Sequence, residues 1–187
     1  MTTEKAKQHS TNTFEKDGDK RLKLEGLSDW QGHDKFNNQV NGYKRIGNTL
    51  SADNSHSTMT PRVHFLHGTG FSAMTLAPMA SVLPDAWDLW LTDVPGHGLS
   101  EQPNHKMPDW PALADSVAET ISISADINNK GPMIGVGHSM GGIVTLFAAV
   151  KYPKLFSRII LLDPVLFNTE ILIAQQLMRT LGVWKKS

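Results

Sequence analysis

Gly137-His138-Ser139-Met140-Gly141-Gly142 stands between a short apolar run, Pro132-Met133-Ile134-Gly135-Val136, and Met140–Val150, which is apolar nearly all round. The first run reads as a strand. The second reads as a helix buried against a sheet rather than a surface helix, whose apolar residues would keep to one stripe. Between them the chain has the form G-x-S-x-G at a sharp strand-to-helix turn. Nucleophilic catalysis by serine needs a hydroxyl held clear of the local backbone, and a strained turn of this kind supplies it. Side chains two before and two after Ser139 would collide in such a turn, and Gly137 and Gly141 remove the collision. His138, beside Ser139 on the elbow, points away from it and reads as a pocket or packing residue. The N-terminus of the following helix faces the hydroxyl, so the Met140 N–H is placed to meet an oxyanion.

Upstream, Arg62-Val63-His64-Phe65-Leu66 is a strand by its β-branched and aromatic content. His67-Gly68-Thr69-Gly70 is a turn, followed by a helix from about Thr75 to Val82 that tolerates Pro78 only in its first turn. Ala86–Val94 is a second buried strand, closing in the loop Pro95-Gly96-His97-Gly98. Asp93 ties its own turn by side-chain hydrogen bonds. Asp109 caps a helix carrying Trp110, Leu113, Val117 and Ile121 on one face, and Asn128-Asn129-Lys130-Gly131 ends it. Ser157–Leu162 is a fourth continuous apolar strand, and a helix is expected over Thr169–Leu181. Continuous apolar strands separated by helices predict an α/β fold with a mostly parallel sheet and helices on both faces, a three-layer architecture.

The flanks are quieter. Residues 1–20 are polar and read as a disordered tail. Over 21–60, Leu22, Leu24 and Leu27 suggest a short edge strand, and Trp30, Phe36, Val40, Tyr43 and Ile46 are scattered anchors without a clear period. The core is expected over 21–165, and 166–187 as the start of a cap.

The 187 residues are 40% hydrophobic and 19% charged, an ordinary globular balance. Lys+Arg and Asp+Glu are both 18, for a formal net charge of zero, which speaks against a nucleic-acid binder or a polybasic membrane-surface protein. There is no cysteine, which excludes a disulfide scaffold, a thiolate nucleophile and a Cys-held metal. No histidine spacing suits a metal site, and no cofactor is expected. Ile143–Val150 is far too short to span a bilayer, and the N-terminus shows no apolar leader, so a cytoplasmic location is expected.

An oxyanion needs a second donor. The turn after the first strong strand offers backbone N–H groups to the same place, Thr69 first and Gly70 second. HGTGFSA at 67–73, DVPGHGLSEQP at 93–103, GVGHSMGG at 135–142 and IILLDPV at 159–165, in this order, resemble the α/β-hydrolase family over about Pro61 to Phe167. The resemblance implies that Ser139 is the nucleophile and that the Met140 and Thr69 N–H groups form the oxyanion hole. It implies esterase-like or lipase-like chemistry on a small ester or acyl substrate, and places two antiparallel strands within residues 1–60. A serine here also sets the chain apart from haloalkane dehalogenases and epoxide hydrolases, relatives that use an aspartate.

The family order is Ser, acid, His. All eight histidines of this chain, His9 to His138, precede or adjoin Ser139, and none follows it. Asp163 is the candidate acid, although an Asp-Pro at the end of a strand also serves as a plain structural turn. His67 is expected to brace the oxyanion loop, His97 to belong to its turn, and His64 to lie in the core. The last strands and helices of the family would follow Ser187. The expectation is a C-terminally truncated chain, inactive alone and prone to self-association through Ser157–Leu162 as a sheet edge. Two other readings compete. One is a non-catalytic truncated product or pseudoenzyme. The other is a Rossmann-type nucleotide-binding module built on Gly135, Gly137 and Gly141, with Asp163 as its acid.

Overall fold

A computed structural model describes residues 26–47, 60–102 and 109–165. The expectations for residues 1–20, Leu22, Leu24, the helix at Thr169–Leu181 and the cap at 166–187 lie outside the described residues. The apolar runs pair into one six-stranded sheet: β1 (Ser28–His33), β2 (Gln39–Arg45), β3 (Arg62–Leu66), β4 (Asp88–Thr92), β5 (Met133–His138) and β6 (Phe156–Leu162), in the order β1-β2-β4-β3-β5-β6. β1 and β2 form an antiparallel hairpin, and β2 runs antiparallel to β4. β4, β3, β5 and β6 are parallel. The two antiparallel strands expected in the N-terminal segment are therefore present.

The hairpin explains the missing period over 21–60. Trp30, Val40 and Tyr43 are buried, but Phe36, in the connecting turn, is 73% exposed and Ile46 lies past the end of β2 at 54%. Neither is an anchor. The turn is held by Asp34, whose carboxylate accepts hydrogen bonds from the Phe36 and Asn38 N–H groups (2.9 and 3.0 Å) and from the Ser116 hydroxyl (2.9 Å). Burial works to raise the Asp34 pKa, but these bonds together hold it below the ordinary carboxylate value.

Side chains alternate across the sheet and feed two apolar layers. On one face Trp30, Trp90 and Met133 pack under α2 (Trp110–Ser124) and α4 (Met140–Lys151), with the Trp30 and Trp90 rings edge to face at 5.3 Å. On the other, Tyr43, Val63, Phe65, Leu89, Leu91 and Val136 pack under a 3₁₀ turn (Ala73–Leu76) and α1 (Ala77–Ser81). This is the three-layer α/β arrangement. The helix expected over 75–82 is thus a 3₁₀ turn running into a five-residue helix, with Pro78 in the first turn, where its missing N–H costs nothing. Asp109 caps α2 as expected, its side chain accepting from the Ala112 N–H at 2.9 Å. α2 ends at Ser124, and the Asn-Asn-Lys segment forms its own turn, α3 (Ile127–Lys130), closed by Gly131.

Two continuous apolar strands fare differently. β3, flanked by β4 and β5, is buried at all five positions. β6 has only β5 beside it among the described residues, and Ser157, Arg158 and Ile160 are exposed. This agrees with the place at a sheet edge expected for Ser157–Leu162: burial of a strand depends on its neighbours, which its own composition does not specify. Likewise α4 is not buried all round. Met140–Thr145 and Ala148 are buried, while Phe147 and Val150 are exposed.

Candidate active site

β5 ends at His138 and α4 begins at Met140, leaving Ser139 alone to turn the chain. Its dihedrals, φ 52° and ψ −118°, lie in a region that L-residues rarely occupy, at a cost of order 1–3 kcal/mol. The surroundings hold it there. The Ser139 N–H donates to the Leu162 carbonyl at 2.9 Å, and the Ser139 carbonyl accepts from the Gly142 N–H at 3.0 Å. A Cβ on Gly137 would lie 2.3 Å from the Gly141 carbonyl oxygen, the collision expected from sequence. A Cβ on Gly141, however, would lie 2.2 Å from the Leu66 carbonyl oxygen. Gly141 therefore makes room for the end of β3 rather than for residue 137. Of the glycines that suggested a nucleotide-binding unit, Gly137 and Gly141 are taken up by this backbone packing, and Gly135 makes room for the Thr145 and Phe156 side chains.

The loop after β3 is fastened to the elbow. Thr69 Oγ1 donates to Met140 Sδ at 3.3 Å. A Cβ built on buried Gly68 would stand 3.1 Å from Ser139 Cβ and 3.2 Å from His138 Nδ1, so this residue, which sequence reasoning did not single out, sets how closely loop and serine approach. Gly70 is in the left-handed region at φ 76°. Met140 is the first residue of α4, so its N–H has no acceptor within the helix. The structure thus brings Ser139 and Met140 against the turn at Gly68–Thr69.

His67 braces the loop as expected. The Val94 N–H donates to His67 Nε2 at 3.0 Å, which leaves Nδ1 to carry the proton and donate to the Gly68 carbonyl at 2.8 Å. Burial lowers its pKa, outweighing the raising effects of Gly68 and Asp93. Both ring nitrogens are engaged, so His67 is not a free base. Asp93 does more than tie its own turn. One carboxylate oxygen accepts from Leu99 N–H at 2.9 Å, the other from Ala73 N–H at 2.6 Å, so it links the loops after β3 and β4. The second bond spans 20 residues and has no local signature in sequence. The His97 ring lies against His67, with centroids 5.5 Å apart. His64 is wholly buried in β3 and shares a 2.8 Å hydrogen bond with Thr92 Oγ1.

Asp163 follows β6 at φ 44° with an exposed side chain. The turn it starts packs on the elbow: a Cβ on Gly142 would stand 3.0 Å from Pro164 Cβ, and the Val165 N–H reaches the Ser139 carbonyl at 3.4 Å. Among the described residues, no hydrogen bond or ion pair joins Asp163 to a histidine. His138 lies with Phe71, Thr75, Leu76, Met79 and Leu162 around a cavity of about 230 Å³ on the α1 face. Among the described residues there is no group of three or more His, Cys, Asp or Glu able to hold a metal, and no helix long and apolar enough to cross a membrane.

A mostly parallel sheet in this strand order, with a strained serine between β5 and α4, defines an α/β hydrolase. Residues 58–186 match the model of the family described as "Serine aminopeptidase, S33", and the chain belongs to that family of α/β hydrolases. It is 34% identical over 92 residues, 49% of this chain and 26% of the relative, to the pimeloyl-[acyl-carrier protein] methyl ester esterase of Neisseria meningitidis serogroup A. It is 32% identical over 105 residues, 55% of this chain and 35% of the relative, to the 2-(acetamidomethylene)succinate hydrolase of Mesorhizobium japonicum. The chain spans about a quarter to a third of the length of these curated relatives. An α/β hydrolase from Novosphingobium aromaticivorans shares the fold, with a TM-score of 0.60 at 18% identity, covering 74% of this chain and 45% of that one.

Proposed function

We propose that this chain carries the nucleophile half of a serine hydrolase acting on esters. The observation that supports it is Ser139 at φ 52°, ψ −118°, at a helix N-terminus with Thr69 fastened to Met140. Ser139 Oγ attacks the ester carbonyl. The tetrahedral oxyanion is held by the Met140 N–H and the Thr69 N–H, with Gly70 as the alternative donor. Collapse breaks the C–O bond to the alcohol, and water then hydrolyses the acyl-serine. Both steps need a base on Oγ or on water. No histidine follows Ser139, and His64 and His67 are buried and hydrogen-bonded. We infer that the base is supplied by residues other than these, that Asp163 is the acid nearest the elbow, and that the 187 residues alone turn over slowly. The ester-hydrolysing relative from Neisseria agrees with the substrate class.

The test is labelling with a fluorophosphonate, with the adduct mapped by mass spectrometry. A single adduct on Ser139, absent in Ser139→Ala, is expected; an adduct that persists in Ser139→Ala overturns the assignment. With p-nitrophenyl butyrate the rate is expected to fall short of a complete triad by about 10⁴ or more. A fast Ser139-dependent rate would show that a base lies within this chain.

We also propose that the isolated chain self-associates along β6, the edge strand of the described sheet, where Ile160 is 49% exposed. Oligomers on a sizing column that dissolve in Ile160→Lys are expected; a monodisperse monomer argues against it.

A further inference from the structure

The mechanism leaves one imidazole beside the elbow unused. Neither ring nitrogen of half-buried His138 takes part in a hydrogen bond or ion pair among the described residues. The other described histidines are engaged or remote. His64 and His67 are buried and hydrogen-bonded. His97 packs against His67, its Nδ1 3.5 Å from the Pro95 carbonyl. His33 ends β1, with three strands between it and β5. The elbow explains how a residue adjacent to Ser139 comes to face the same space. Residues 136 and 138 of β5 point to one side of the sheet, so the His138 side chain leaves on the α1 face with Val136. Ser139, at φ 52° and ψ −118°, breaks the strand's alternation. The two side chains then converge on Gly68. The point where a Cβ on Gly68 would stand lies 3.2 Å from His138 Nδ1 and 3.1 Å from Ser139 Cβ. Any side chain there would crowd both, so glycine keeps the gap between them clear. The Phe71 ring lies against the imidazole, with centroids 6.3 Å apart.

We propose that His138 is the general base available within this chain, taking the Ser139 hydroxyl proton through one bridging water; the assignment rests on the reading of Ser139 as nucleophile. A base acts at hydrogen-bond reach or through a single water. Two groups that border one glycine position, with no hydrogen bond between them, are set for the second. As Oγ bonds to the acyl carbon, its proton passes to the water and a water proton passes to Nδ1. The imidazolium returns that proton along the same path to the departing alkoxide as the C–O bond breaks, so the step neither gains nor loses a proton. Nδ1 can accept because a neutral imidazole carries its proton on the other nitrogen. Among the described residues no carboxylate orients the ring as one does in a complete triad, in keeping with the slow turnover inferred above.

Fluorophosphonate labelling of the full 187-residue chain reads this proton transfer directly. Oγ bonds to phosphorus, fluoride leaves, and the Oγ proton goes to the base. The second-order rate is followed by mass spectrometry of the Ser139 peptide. His138→Ala and His138→Gln are each expected to label more slowly by about tenfold or more, with urea midpoints reporting that both fold. His33→Gln is expected to label as the unchanged chain does. Imidazole separates a base from a packing residue. It is expected to restore the labelling of His138→Ala in proportion to its concentration and to leave the rate of the unchanged chain alone. If His138→Ala does not fold, His138→Gln decides: the solvent deuterium isotope effect on labelling, present in the unchanged chain, is expected to vanish, and one that persists overturns the base. Labelling that ignores both substitutions overturns His138 and leaves Ser139 standing as nucleophile. Slow labelling that imidazole does not lift also overturns His138 as a base, since packing alone would give it. No adduct on Ser139 in the unchanged chain overturns the nucleophile itself, and the base with it.

Discussion

At Gly141 one added methyl group meets two backbone carbonyls, Leu66 at 2.2 Å and His67 at 2.5 Å. Neither can rotate aside as a side chain would. Gly141→Ala is therefore expected to cost at least about 1–3 kcal/mol, as overpacking does, and to shift the urea midpoint accordingly. Gly70→Ala is the control. Among the described residues nothing lies within 4 Å of its Cβ position, so only the strain of φ 76° counts, about 1–2 kcal/mol. Equal losses for the two would show that the close approach at Gly141 is softer than it stands here. Asp93→Asn tests the bridge between loops. An amide can accept through one oxygen only, so either the buried Ala73 N–H or the part-buried Leu99 N–H is left opposite an NH₂ group. A loss of about 1–3 kcal/mol is expected. Ser139, Gly137 and Met140 were legible in sequence because the constraint that selects them is local, a turn too tight for side chains. Gly68 and the Asp93–Ala73 bond were not, because their partners come from other loops.

Among the elements, α2 shows how a local signal carries a long-range contact. Asp109 accepts the Ala112 N–H and starts the helix, whose buried residues Leu113, Val117 and Ile121 then pack in the same apolar layer as α4. Asp109→Ala is expected to lose about 0.5–2 kcal/mol, read as a lower urea midpoint at unchanged slope. A slope change instead would mean that α2 detaches separately. Capping and helical spacing made α2 readable from sequence. The β1–β2 hairpin was not, because Trp30, Val40 and Tyr43 point to different layers and its turn depends on Asp34 meeting Ser116 of α2.

The whole molecule should be acid-sensitive for a stated reason. His64 is fully buried between Thr92 and the Phe156 ring, and burial pushes its pKa down to about 3. Its Nδ1 has no hydrogen-bond partner among the described residues, so a second ring proton would go unsatisfied. The unfolded chain binds that proton near pH 6.5, while the folded chain refuses it until about pH 3. Stability is thus intact above pH 6.5 and falls as pH drops through that window, by up to about 1.4 kcal/mol per unit for this group. His67 is shifted in the same direction by burial. Asp34, held below its ordinary value, adds a further loss below about pH 3.8. Urea midpoints measured from pH 7.5 to 4.5 should decline, and less steeply in His64→Gln. A midpoint indifferent to pH would contradict the burial of His64.

By itself the sequence determined the chain's periodicities, its punctuation and its tightest turn: four parallel strands, a capped helix, and a serine flanked by glycines. Those features follow from contacts between residues close along the chain, which local composition encodes. Tertiary structure decided how far each strand is covered, since β3 and β6 are similar in composition and differ in their neighbours. It also decided that Asp93 joins two loops, that Gly68 borders the serine, and that Phe71, Met79, His138 and Leu162 enclose one cavity. These residues come from separate loops and helices, and they meet only because pairing within one sheet sets the strand ends side by side.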